Sequence, residues 1–119
     1  MAGERVVVLA DDLIWQDRLA RALEAIGAEP ARAKTAPDLD RELASAAFAV
    51  VDLTSRAYDP LAAIERARSA GARVLAVGQH DDAELRKQAI GRGAERVFAY
   101  RKLFEDGPAT LSRWLAAAG

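Results

Sequence analysis

Three aspartates stand directly after apolar runs. Asp11 and Asp12 follow "RVVVLA", and Asp52 follows "FAVV". Carboxylates held close together raise one another's pKa unless a cation neutralises them. Oxygen ligands of this kind suit Mg²⁺, which takes one or two carboxylates and keeps several waters. Such an ion beside Asp52 would offset the charge of an incoming phosphoryl group and make that carboxylate a phosphate acceptor. A plainer reading of Asp11-Asp12 is that the pair caps a helix, where acids complement the dipole. Thr54 and Ser55 set two hydroxyls just past Asp52. His80, the single histidine, and the basic pair Arg101-Lys102 also follow apolar runs. His80 is a donor to an anion in one reading and a capping or solvated loop residue in the other. Arg101 and Lys102 either hold an anion or lie in an exposed loop.

The elements that must position these residues alternate regularly. Strand runs are expected at 5–10, 48–51, 73–78 and 96–100, all β-branched or apolar. A weaker run, "EPARA" at 29–33, contains Pro30 and suits an edge strand, where a missing amide donor matters least. Trp15, Leu19, Ala22, Leu23 and Ile26 follow helical spacing and end at Gly27. Thr35 caps a second helix with Pro37 in its first turn, and Asp59-Pro60 opens a third that runs to Gly71. Asp81 or Asp82 opens the fourth, with Leu85, Ala89 and Ile90 inward, and the last is expected to begin at Pro108. Trp15 and Trp114 fall on inward faces and are expected in the core.

Five strands each followed by a helix imply an α/β three-layer sandwich, a parallel sheet with helices on both faces. Ligands of such sheets bind beyond the carboxyl ends of the strands. That rule puts Asp11-Asp12, Asp52-Leu53-Thr54, Gly78-Gln79-His80 and Tyr100-Arg101-Lys102 along one edge.

The 119 residues are expected to form one domain, residues 1–119, with no output domain attached. Seventeen Lys and Arg against 18 Asp and Glu give no electrostatic case for nucleic acid or an anionic membrane. No cysteine is present, which excludes disulfides and thiolate chemistry. No apolar stretch approaches the ~18 residues a membrane span needs, and no secretory signal opens the chain, so a cytoplasmic domain is expected. The GxGxxG, GxxxxGK[ST] and GxSxG patterns are all absent.

In length, element order and spacing, the stretch from "VVVLADD" through "TLSRWL" resembles the receiver domains of bacterial two-component response regulators. The resemblance implies a flavodoxin-like sheet of order 2-1-3-4-5. It implies an acidic pair after the first strand, matched by Asp11 and Asp12, and a phosphoacceptor about forty residues later, matched by Asp52. It further implies Mg²⁺ on Asp11, Asp12, Asp52 and the backbone carbonyl of Thr54. "GAERVFAY" resembles the family's lead into the fifth strand. Two family positions differ. The hydroxyl residue that bonds the phosphoryl group at the end of the fourth strand is Gly78 here. The lysine ending the fifth strand is Tyr100, or Arg101 in a register slipped by one, and no proline follows.

The metal half of the site is thus kept and the phosphate-reporting half altered, as in a pseudo-receiver. The expected function is a signalling module rather than an enzyme. It acts through protein contacts with a histidine kinase, an effector or its own copy, either by accepting phosphate on Asp52 or independently of phosphorylation. The remaining alternative is a small flavodoxin-like ligand-binding protein, or an enzyme using Asp52 and His80 in the same crevice. The resemblance puts the contact face on the fourth helix, fifth strand and fifth helix, with Arg86, Lys87, Tyr100, Lys102 and Phe104.

Overall fold

The computed structural model describes residues 3–79 and 82–117. Five strands, β1 (Arg5–Leu9), β2 (Glu29–Ala33), β3 (Phe48–Asp52), β4 (Arg73–Gly78) and β5 (Arg96–Ala99), alternate with five helices. These are α1 (Leu13–Ala25), α2 (Ala36–Leu43), α3 (Pro60–Ser69), α4 (Ala83–Arg92) and α5 (Tyr100–Ala116). The strands form one parallel sheet in the order β2-β1-β3-β4-β5, as expected, with the Pro30 strand at an edge.

Strand side chains alternate between two apolar layers, the period-2 consequence of the pleat. Val7, Leu9, Ala49, Val51, Val74 and Ala76 pack with Leu39, Leu43, Ile64 and Ala89 from α2, α3 and α4. Val6, Val8, Val50, Leu75 and Val77 pack with Leu19 and Leu23 of α1 and Leu103, Leu111 and Trp114 of α5. Burial on both faces is why the central strands read as continuous apolar runs.

Local chemistry sets most helix ends. The Asp12 carboxylate accepts from the amides of Ile14 and Trp15, Thr35 Oγ1 from that of Asp38, and Asp59 from those of Leu61 and Ala62. Asp82 caps α4 by accepting from the Leu85 amide. After α1 and α3 the chain turns through Gly27 and Gly71 at φ +83° and +89°, a region open to glycine at little cost.

Three expectations are corrected. The last helix begins at Tyr100 rather than Pro108, so β5 ends at Ala99 and Tyr100 belongs to α5. Pro108 lacks an amide hydrogen and its ring crowds the carbonyl four residues back, and α5 accordingly kinks at Asp106 (φ −146°, ψ 39°). Ile90 is exposed, leaving Ala89 as the buried residue of α4. Trp15 is only half-buried, whereas Trp114 is in the core as expected.

Arg73 closes the amino-terminal edge of the sheet. Its guanidinium grips Glu95 at 2.8 and 2.9 Å, donates to the carbonyls of Trp114 and Ala117, and lies 5.4 Å from the centre of the Phe48 ring. The Trp114 indole donates to the same carboxylate at 3.1 Å. Hydrogen bonding to Arg73 holds the Glu95 carboxyl below its ordinary value of 4.5, against an opposing push from burial. A depressed folded-state pKa stabilises the protein fully above the unfolded value, and that stabilisation is lost as pH falls through the folded value. Arg73→Met should therefore lower stability by about 2 kcal/mol at neutral pH. In urea denaturation measured across pH, it should also flatten the decline in stability below about pH 4.5.

Candidate functional site

The carboxyl ends of β1, β3 and β4 are brought side by side by the register, in which Leu9 lies opposite Val51, and Asp52 opposite Val77. Asp52 is the last residue of β3 and is 0% exposed. Its Oδ1 accepts from the Thr54 amide at 2.9 Å, from Thr54 Oγ1 at 2.8 Å and from the Tyr100 hydroxyl. Thr54 Oγ1 and the Tyr100 oxygen are themselves 2.8 Å apart. With one proton on each hydroxyl, Tyr100 donates to Asp52 while Thr54 donates either to Asp52 or to the phenol oxygen. Asp52 Oδ2 is buried without a hydrogen-bond partner among the described residues. Burial first, and the neighbouring Asp52 second, push the Tyr100 phenol well above its ordinary value, so it remains a donor. The Tyr100 ring stacks against Trp15, centroids 4.0 Å apart.

The acidic pair after β1 is divided between two tasks. Asp12 is exposed and caps α1 through Oδ1. Asp11 reaches across to the β3–α3 loop, where its Oδ2 accepts from the amides of Arg56 and Ala57 at 2.9 and 3.0 Å. Its own amide donates to Ser55 Oγ. The bond from the Arg56 amide is the largest of the influences that lower the Asp11 carboxyl below its ordinary value.

The magnesium set expected from Asp11, Asp12, Asp52 and the Thr54 carbonyl is not assembled. Asp12 and Asp11 hold backbone amides, and Oδ1 of Asp52 faces three donors, which a cation would have to displace. Among the described residues, no three His, Cys, Asp or Glu side chains are disposed to hold a metal. As folded, the site does not fit Mg²⁺.

The four residues named as anion-binding candidates are placed as follows. Arg101 is exposed and pairs with Glu105 one turn along α5, and Lys102 approaches Asp106 at 3.8 Å; neither bonds Asp52. His80 lies outside the described residues. Gly78 is buried under Leu53, whose Cδ1 lies 3.2 Å from where a Cβ would stand. Leu53 thus crowds the space that a hydroxyl side chain at position 78 would need. On the expected contact face, Lys87 and Phe104 are exposed, the latter under the Arg18 guanidinium at 4.5 Å. Arg86 donates to the Val97 carbonyl at 3.2 Å, and Tyr100 is turned inward to Asp52.

Two residues that the sequence reading passed over secure this edge. The buried Tyr58 hydroxyl lies 2.9 Å from the Leu9 carbonyl and 2.7 Å from that of Asp52, between the ends of β1 and β3, with its single proton shared between them or donated to one. The buried Gln16 amide donates to the carbonyls of Ala10 and Ala33, tying β1 and β2 to α1. Their partners are distant in sequence, and only the amphipathic spacing of α1 gave any hint of Gln16. Tyr58→Phe should leave a buried carbonyl unpaired and lower stability by about 1 to 2 kcal/mol in urea denaturation, with the circular dichroism spectrum unchanged. An unchanged midpoint would deny the hydroxyl this role.

No protein-family model matches the chain, and no curated protein does. Solved structures match closely in shape. A response regulator from Thermotoga maritima superposes with TM-score 0.83 at 18% identity, covering 97% of this chain and 99% of its own. The receiver domain of the response regulator NarL from Mycobacterium tuberculosis gives 0.80 at 22% identity, covering 98% and 100%. A response regulator from Burkholderia pseudomallei, solved with a phosphorylated aspartic acid, calcium ion and citrate, gives 0.73 at 19% identity over 95% of this chain and 73% of its own. Over nearly its whole length, the chain has the fold of the response-regulator receiver domain.

Proposed function

We propose that this protein is a receiver-like signalling module that acts through protein contacts without taking phosphate on Asp52. The observation that supports this reading is the wholly buried Asp52 carboxylate, bonded by Thr54 and Tyr100. Phosphoryl transfer to a carboxylate needs an oxygen that a donor can approach in line, and a cation to offset the developing charge. Here the approach is closed, and the acids that would carry the cation hold backbone amides. Position 78 has no hydroxyl to bond a phosphoryl oxygen. The partner is a protein of the signalling machinery in which receivers work, and the setting is the cytoplasm. Lys87 and Phe104 are the contact residues we retain from the α4–β5–α5 face, with Tyr100 withdrawn from it.

An enzyme working in the same crevice finds less support, because a substrate has no path to a carboxylate that is 0% exposed. A cavity of about 620 Å³ lies instead toward the other edge of the sheet, between β5 and α5, against Arg73, Glu95 and Trp114.

Incubation with Mg²⁺ and acetyl phosphate, followed by intact-mass measurement, tests the proposal. Neither the native protein nor Asp52→Asn should gain a phosphate. A one-phosphate gain in the native protein that disappears in Asp52→Asn would overturn it.

A further inference from the structure

The cavity of about 620 Å³ between β5 and α5 is a product of the sequence of the last strand. Val8, Val50, Leu75 and Arg96 lie in register across β1, β3, β4 and β5. The first three are buried in the layer that α1 and α5 cover, whereas Arg96 is exposed. A guanidinium is not taken out of water without a partner. Position 96 therefore leaves unfilled the space that a valine or leucine would occupy beneath α5. Phe98, two residues on and on the same face of the strand, is only half-buried. The volume falls within the roughly 300 to 1,000 Å³ of small-molecule sites.

The lining is apolar in part and strongly cationic in the rest. Phe98 and Trp114 supply aromatic wall, and Arg73 is neutralised there by Glu95 at 2.8 Å. Arg96, Lys102 and Arg113 also line the cavity, and all three are exposed. Lys102 and Arg113 share a single carboxylate, that of Asp106, at 3.8 and 3.4 Å. Arg96 is paired with no carboxylate among the described residues. Three cations thus face one acid. The two ion pairs of that acid are long and solvent-exposed, of the kind that contributes little and is readily exchanged.

We propose that this cavity binds a small organic dianion carried on a flat apolar ring. The ring lies against Phe98 and Trp114, and the charged group is held by Arg96, Lys102 and Arg113. Arginine forks meet phosphate and carboxylate oxygens in pairs, and lysine adds a point charge. A dianion replaces Asp106 as the partner of Lys102 and Arg113 and also answers the unpaired Arg96. Asp52 does not line the cavity, so this site stands or falls separately from the phosphate-independent reading of Asp52.

Phenyl phosphate, which joins a dianion to one aromatic ring, is the probe. Its titration into the full chain is followed by proton–nitrogen NMR, where the Trp114 indole signal reports on the cavity wall and Trp15→Phe assigns it. Phenyl phosphate should shift that signal and the Arg96 and Phe98 amides saturably, with Kd of about a millimolar or below. Inorganic phosphate should bind at least about tenfold more weakly, because it buries no ring. Arg96→Gln combined with Arg113→Gln should weaken phenyl phosphate at least about tenfold, and Arg41→Gln, on α2, should leave it unchanged. Asp106→Asn removes the internal competitor and should tighten binding about threefold, a gain that misfolding cannot imitate. No saturable shift with phenyl phosphate overturns the site, as does equal binding of inorganic phosphate. Equal losses in the Arg41 and Arg96/Arg113 variants, or a folded Asp106→Asn that binds no more tightly, overturn it as well.

Discussion

A carboxylate taken out of water must be given hydrogen bonds by the protein itself, and in this fold that demand falls on Asp52 at the end of the central strand. Burying such a group without partners costs several kcal/mol, more than many single contacts return. Thr54 meets part of the demand simply by following Asp52 into the turn. A further donor to the same oxygen comes from another strand-end, where Tyr100 is placed because β5 stops at Ala99 and α5 starts without an intervening loop. The early start of α5 thus brings the Tyr100 hydroxyl to Asp52 and its ring to Trp15.

The other two acids show how neighbouring residues of one type can be put to different uses by backbone geometry. Asp12 has extended dihedrals (φ −82°, ψ 113°), which direct its side chain to the first free amides of α1. Asp11, one residue earlier, reaches the loop after β3 and fastens it with two amide bonds. With Tyr58 bridging Leu9 and Asp52, and Gln16 bridging Ala10 and Ala33, the carboxyl edge of the sheet is laced internally. Apart from Asp52 Oδ2, which has no partner among the described residues, the named polar groups of this edge are held by other parts of the protein itself.

The opposite edge obeys the same rule with a different residue. Arg73 carries five donors in a planar fork, and it distributes them over Glu95 and the last carbonyls of α5 while stacking on Phe48. Few other side chains could serve a carboxylate, a helix terminus and an aromatic ring at once. This joins β4, the β5 entry and the end of α5, so α5 is held by Arg73 at its carboxyl end and by the Tyr100 hydroxyl and apolar packing at its amino end.

From the sequence alone, the five strands, the edge position of "EPARA", the caps at Thr35 and Asp59 and the three-layer architecture could all be read. Period-2 burial, helical spacing and capping are local, and local chemistry is written in neighbouring residues. The placement of Asp11, Asp12, Asp52, Gly78 and Tyr100 on one edge was equally legible, because parallel strands put all their carboxyl ends together. What each residue does there was decided only by tertiary structure. Whether Asp11 meets a metal or the Arg56 amide, whether Tyr100 or Arg101 faces Asp52, and whether position 78 has room for a side chain beside Leu53 depend on small differences in the spacing of side chains that only the folded chain brings together. The start of α5 was misjudged for a related reason. Pro108 is a valid helix-opening signal, and only packing of Leu103 and Tyr100 against the sheet and α1 adds the preceding turns. Spacing along the chain brings residues to the same edge, and side-chain packing across it determines which of them meet.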